Sequence, residues 1–188
     1  GILVKSAEAL ETLHTVDTVV MDKTGTLTQG KPQVTDIVPA DGLTESALLG
    51  LAACLEAPSE HPLGAAIVEA AAARQLPQTA VTGFEAVHGR GLRAALGGHM
   101  CLAGNRAMME EAGIDLLPWL DRAEELAAQG KTPLYFAKGS TMLGLIAVAD
   151  TPKPTSRAAV AAFRELGVNV IMLTGDNYRT ADAIGEQL

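Results

Sequence analysis

At 188 residues the chain is long enough for one large domain or two small ones, and its 48% hydrophobic content supports a buried core. Only 3% of residues are aromatic, so that core must be built mainly from Ala, Leu and Val. A formal net charge of −8 argues against nucleic acid or an anionic membrane surface as the main partner, and two widely separated cysteines, Cys54 and Cys101, make neither a disulfide framework nor a zinc site.

The cysteines read instead as small buried hydrophobes in a reducing compartment. No apolar run approaches the length needed to cross a bilayer, and no signal peptide is recognisable. The chain opens Gly-Ile-Leu-Val and stops at Leu188 inside a predicted helix. It is expected to be a soluble piece of something longer.

In chain order, Ser6 to Leu13 reads as a short helix and Val16 to Met21 as an apolar strand that runs into "DKTGTLT", residues 22 to 28. Thr44 to Leu55 and Pro62 to Gln75 read as helices, the second with proline in its first turn. Residues 80 to 105, "AVTGFEAVHGRGLRAALGGHMCLAGN", alternate as short strands, with Gly97-Gly98 as a hairpin turn. Helices over Arg106–Ala112 and Leu117–Gln129 precede a hairpin over residues 133 to 149, "PLYFAKGSTMLGLIAVA". Thr155 or Ser156 is placed to cap a helix that Gly167 closes. Val168 to Leu173 is a buried strand entering "TGD", residues 174 to 176, and a last helix starts near Arg179.

The two ends are strand-loop-helix units with continuously apolar strands, the signature of a doubly wound parallel sheet, in which ligands bind at strand carboxyl ends. Both polar loops sit at such ends. The middle is α+β and antiparallel and interrupts the α/β pattern. The expected division is a first unit over residues 1–30 and 148–188 with an inserted domain over residues 31–147.

Three phosphate-loop readings compete. A Walker A loop fits Gly25 to Lys31 until Pro32 replaces the magnesium-binding hydroxyl, and "GKT" at 130–132 has Glu125 in place of the first glycine. Both are near misses. A dinucleotide fingerprint at "GRGLRA" leads into a strand rather than a helix, so no helix N-terminus is on offer, and a tight turn explains it as well. The third reading puts Asp22 at the centre, because a strand-end carboxylate can attack a phosphoryl group and carry it as an acyl phosphate. Thr24, Gly25 and Thr26 are suitable donors, Thr174-Gly175-Asp176 can add more, and Asp150 to Lys153 form a third acid-plus-base cluster. Ordinary strand-end loops would explain any one of these clusters, but poorly explain all three.

"DKTGTLT" is the phosphorylation motif of the P-type ATPases, and "TGD" and the Asp150–Lys153 cluster resemble that family's other phosphorylation-domain motifs. The middle resembles the nucleotide-binding domain of the heavy-metal-transporting subgroup through "SEHPLG", Glu56 five residues before His61, the "GRG" of 89 to 91, and Gly104-Asn105. The resemblance covers nearly the whole chain. It implies a haloacid-dehalogenase-like parallel sheet, incomplete here, carrying an inserted nucleotide-binding domain. It further implies ATP and Mg²⁺ as cofactors. Asp22 would be the nucleophile that takes the γ-phosphate. Lys23 and Thr174 would hold phosphoryl oxygens, with Gly175, Asp176 and Lys153 beside them. Asp22 and the Thr24 carbonyl would bind Mg²⁺. His61 would orient the adenine and Glu56 would accept from its amino group. Gly89 and Gly91 would let the backbone approach the nucleotide, and Gly104 and Asn105 would complete the pocket. Lys23, Lys153 and Asp176 each have a plainer reading as residues that hold their loops in place.

A stand-alone haloacid dehalogenase phosphatase is the nearest rival. Such enzymes usually carry a second aspartate two residues after the nucleophile, where this chain has Thr24, and losing that base suits a long-lived acyl phosphate. A non-catalytic nucleotide-binding module is the other rival. Flanking residues are most like copper(I) pumps, although zinc, cadmium and lead pumps share the motifs. The implied parent is an integral membrane protein with this part at the cytoplasmic face, working with membrane and actuator domains of the same chain. The transported metal would not bind here. "HMC", residues 99 to 101, has soft-metal ligand types, but alternation turns Met100 away and core and surface packing is the better reading. The family's Gly-Asp-Gly-x-x-Asn-Asp run does not occur before the chain ends. ATP binding with weak or absent phosphoryl transfer is therefore expected of this piece.

Overall fold

The computed structural model describes residues 3–4, 6–174 and 178–188, with side chains for all of these except residues 10 and 178–180. Helix α1 (Ala7–His14) begins where the Ser6 hydroxyl accepts from the Ala9 amide at 3.2 Å. Strand β1 (Thr18–Asp22) follows, and pairs in parallel with β8 (Asn169–Leu173), Thr18 opposite Asn169 and Asp22 opposite Leu173. Helix α6 (Ser156–Glu165) packs against β8, and α7 (Tyr178–Gln187) follows it.

Between these lie β2 (Gln33–Pro39), α2 (Glu45–Glu56), α3 (Pro62–Ala73), β3 (Thr82–Val87), β4 (Gly91–Leu96) and β5 (His99–Gly104). Then come α4 (Arg106–Glu111), a 3₁₀ turn (Leu117–Trp119), α5 (Leu120–Ala128), β6 (Thr132–Lys138) and β7 (Thr141–Ala149). The six strands form one antiparallel sheet in the order β2-β7-β6-β5-β4-β3. Strand alternation gives the sheet two apolar faces. Phe136, Ile146 and Val148 join Leu48, Leu49 and Ile67 of α2 and α3 on one side. Tyr135, Ala137, Leu145 and Ala147 join Met109 and Leu126 of α4 and α5 on the other. With so few aromatics, aliphatic side chains make up most of both layers, as expected. Both cysteines are buried and free.

The predicted class is what the chain adopts: a parallel α/β pair at its ends and an antiparallel α+β sheet within. Four details differ from the sequence reading. The strand expected to be buried over Val168 to Leu173 alternates instead, with Ile171 and Leu173 exposed on one face, because among the described residues β8 pairs only with β1 and its outward face is left uncovered. Strand β2 is absent from the predicted elements. Its partner β7 lies more than a hundred residues downstream, with a register shift between Val34 and Asp36. The Leu117–Gln129 helix is a 3₁₀ turn continuing into α5. Thr155 holds the N-cap position of α6 but makes no side-chain cap bond, and the Ser156 hydroxyl donates instead to the Leu27 carbonyl at 2.7 Å.

Two strands of chain join the parallel pair to the antiparallel sheet, and they are stitched together. Gln29 N donates to Thr151 O at 3.0 Å and Lys153 N to Leu27 O at 2.9 Å. The Asp150 carboxylate accepts from the buried Thr28 hydroxyl and, at 2.9 Å, from Gly30 N.

Candidate functional site

The parallel register sets the carboxyl ends of β1 and β8 side by side, so Asp22 and Lys23 lie beside Leu173 and Thr174. Asp22 is exposed and begins a turn over residues 23–27 that leaves helical backbone at Thr24 and Gly25. Thr28 closes it: its amide donates to Lys23 O at 2.9 Å, and its hydroxyl accepts from Gly25 N at 3.3 Å. From the returning linker, the Lys153 ammonium donates to Gly25 O at 2.6 Å. Asp22, Lys23, Thr24, Lys153 and Thr174 therefore gather at one end of the parallel pair. Gly175 and Asp176 lie outside the described residues. The Asp22 carboxylate and the Thr24 carbonyl are hard oxygen donors of the kind Mg²⁺ prefers, and the ion, when bound there, would neutralise charge on a phosphoryl group.

A second site is a cleft of about 560 Å³ at the far end of the antiparallel sheet, lined among others by Glu56, His61, Phe84, Gly89, Gly91 and Asn105. Glu56, the last residue of α2, is only 7% exposed. Burial pushes its carboxyl pKa up to about 7, and a hydrogen bond with Ser59 only partly offsets this. His61 caps α3, its Nδ1 accepting from Leu63 N at 3.2 Å, which leaves Nε2 as the protonated nitrogen of the neutral ring. The Ser59 hydroxyl accepts from His61 N at 3.2 Å. Beside them Gly64 comes so close that a Cβ there would stand 2.4 Å from Glu56 Oε2.

The other wall is the β3–β4 turn. Asn105 grips it, Nδ2 donating to Gly89 O at 2.9 Å, while its Oδ1 caps α4 by accepting from Met108 N at 3.0 Å. Gly91 has φ +151° and faces Gly104 across the β4–β5 ladder, where a Cβ would fall 2.1 Å from Ala103 O. Its glycine is demanded by strand packing, a reason separate from any approach of nucleotide. Arg90, in the same turn, donates from Nε to the Glu111 carboxylate at 2.9 Å.

All six residues predicted for the nucleotide pocket line this one cleft. Of the residues predicted for phosphoryl chemistry, the described ones, Asp22, Lys23, Thr24, Lys153 and Thr174, are not among those that line it. Sequence reasoning missed Phe84, His88, Thr132 and Leu134, which also line the cleft. His88 and Phe84 come with the β3–β4 hairpin, and only the pairing of β5 with the distant β6 brings Thr132 and Leu134 there. His99 is exposed and Cys101 buried on β5, and among the described residues no group of three or more His, Cys, Asp or Glu is placed to hold a metal.

The family model for haloacid dehalogenase-like hydrolases matches residues 16–188, and the chain belongs to that family. It is similar to heavy-metal P-type ATPases. It is 47% identical over its whole length to the copper-transporting P-type ATPase of Rhizobium leguminosarum bv. viciae. To the copper-exporting P-type ATPase of Bacillus subtilis (strain 168) it is 48% identical, again over its whole length. The chain spans 22% and 23% of the lengths of these two relatives. A crystal structure of a zinc-transporting PIB-type ATPase in the E2.Pi state superposes with a TM-score of 0.90 at 38% identity, covering 99% of this chain and 30% of that one. The resemblance read from "DKTGTLT" and "SEHPLG" is borne out.

Proposed function

We propose that this chain is the catalytic portion of an ATP-driven heavy-metal cation export pump, with Cu(I) as the cargo. Residues 31–147 form its nucleotide-binding domain and residues 1–30 with 148–188 belong to its phosphorylation domain. The observation that carries the reading is the coexistence of an exposed strand-end Asp22, in a turn that Lys153 reaches, and a separate cleft holding Glu56 and His61. In the whole pump, ATP bound in the cleft is brought to Asp22. A carboxylate oxygen attacks the γ-phosphorus, the bond to the β–γ bridging oxygen breaks, and ADP leaves. Water later attacks the acyl phosphate, releasing phosphate and restoring the carboxylate. Lys23 and Thr174 hold phosphoryl oxygens, and Lys153, Gly175 and Asp176 stand beside them in the loops. The chain would sit at the cytoplasmic face of a membrane with membrane and actuator domains of its parent. Among the described residues no helix is long and apolar enough to cross a membrane itself.

The zinc-transporting neighbour favours a second cargo, Zn²⁺, on the same catalytic reading, and cadmium and lead pumps share the motifs. Thr24, two residues beyond the nucleophile, supports the pump over a rapid phosphatase, because no local carboxylate there activates water. Calorimetric titration with ATP of the native chain, His61→Gln and Asp22→Asn tests this. Weakening by about tenfold or more in His61→Gln alone is expected. Affinity indifferent to His61 would overturn the nucleotide-domain reading. With ATP and Mg²⁺ this chain alone should form little or no acyl phosphate at Asp22.

A further inference from the structure

Glu56 is buried at the closed side of the cleft, and what surrounds it restricts how it can meet a base. Its carboxyl shares a hydrogen bond with Ser59 and is pressed against the Gly64 backbone. The titratable groups facing the cleft are His61 from the start of α3 and His88 and Arg90 from the β3–β4 turn, and Arg90 is paired with Glu111 of α4. Strands β5 and β6 contribute Ala103, Gly104, Thr132 and Leu134, none of them charged. Among the described residues no cation forms an ion pair with Glu56, so only the Ser59 hydrogen bond offsets the cost of an ionised carboxylate there.

The edge of adenine presents a donor, the 6-amino group, beside an acceptor, N1. An ionised carboxylate only accepts, and would set a lone pair against N1. A neutral carboxylic acid donates to N1 and accepts from the amino group at once. Guanine reverses the pattern, with N1–H and the 2-amino group both donating, and suits the ionised form. A mismatched polar edge in a dry cleft is left unpaired and is rejected strongly.

We propose that Glu56 reads the base as a neutral carboxylic acid, so that binding of an adenine nucleotide takes up a proton and the preference for adenine over guanine weakens as pH rises. The inference rests on the cleft being the nucleotide site. Burial, which already lifts this carboxyl to about 7, places the change in the physiological range.

The test is titration of the whole chain and of Glu56→Gln with ATP and with GTP at about pH 6 and about pH 8.5. The glutamine amide fixes the donor-plus-acceptor pattern at every pH. The rest of the cleft and the triphosphate are the same for both proteins, so the ratio of native to variant affinity isolates Glu56. ATP affinity of the native chain relative to the variant should fall by about tenfold for each pH unit above the carboxyl's pKa, and GTP affinity should not fall. Calorimetry in buffers of different ionisation enthalpy should show more proton uptake by the native chain. A carbon-13 titration of the Glu56 carboxyl, needing no variant, should show its pKa rising when ATP binds. An unchanged ratio, weaker ATP binding by the variant at every pH, or a carboxyl pKa lowered by ATP overturns the proposal and leaves the nucleotide site standing. Failure of ATP to bind at any pH overturns both.

Discussion

Glu56 also ties the cleft to the stability of the fold. Its carboxyl sits at about 7 in the folded chain against an ordinary 4.5, because burial disfavours the charge. The folded state therefore holds a proton that the unfolded chain releases between those values. The stability this contributes is complete below about 4.5 and is lost as pH rises through about 7, a change of about 3 kcal/mol. Glu56→Gln cannot ionise, so it should raise the denaturation midpoint near pH 8 and change it little near pH 5. Chemical denaturation of both proteins at the two pH values checks this, and a pH-independent difference would contradict it. The identity of Glu56 was legible in the sequence from its place five residues before His61. Its protonation was not, because that depends on burial under α3 and on a strand turn thirty residues away. Gly91 is similar: the sequence marks it as a glycine near the nucleotide, while its register opposite Gly104 shows that the β4–β5 ladder requires it too.

Among elements, the two linkers matter most for function, because they join the sheet that bears the cleft to the pair that bears Asp22. Asp150 accepts from Thr28 and Gly30 of the outgoing linker, and Lys153 reaches the Asp22 turn itself. Asp150→Ala would leave the buried Thr28 hydroxyl without its carboxylate partner, and should destabilise the chain by about 1–3 kcal/mol. Hydrogen exchange would show faster exchange at the Gly30 amide, with core amides of α2 little changed. Unchanged exchange at Gly30 would mean that the linkers are held by backbone bonds alone. Most elements were readable from turn residues and periodicity: the helices expected from Thr44 and from Pro62 are α2 and α3, and the Gly97-Gly98 turn joins β4 to β5. Strand β2 was not, since "QVTDIVP" gains its register from β7 across the chain, with Asp36 pinned to Lys131 at 2.7 Å. Burial acts to raise the Asp36 carboxyl, yet the bonds and charges of Lys131, Thr35 and Arg122 outweigh it and hold it below the usual carboxylate range.

For the molecule as a whole, the sequence divided its functional residues into two sets, and the fold keeps those sets apart. The Asp22 cluster arises from a parallel pairing of the two chain ends, and the cleft from one edge of an antiparallel sheet built between them. That separation is what a pump reading requires, since ATP must bind in one place and react in another. The most direct measurement is amide chemical-shift mapping of the chain during titration with ATP. The account predicts perturbations at residues 56–64, 87–91, 104–105 and 132–134, with the turn at 22–28 left in place. Perturbations centred on residues 22–28 and 150–153, with the cleft silent, would contradict it.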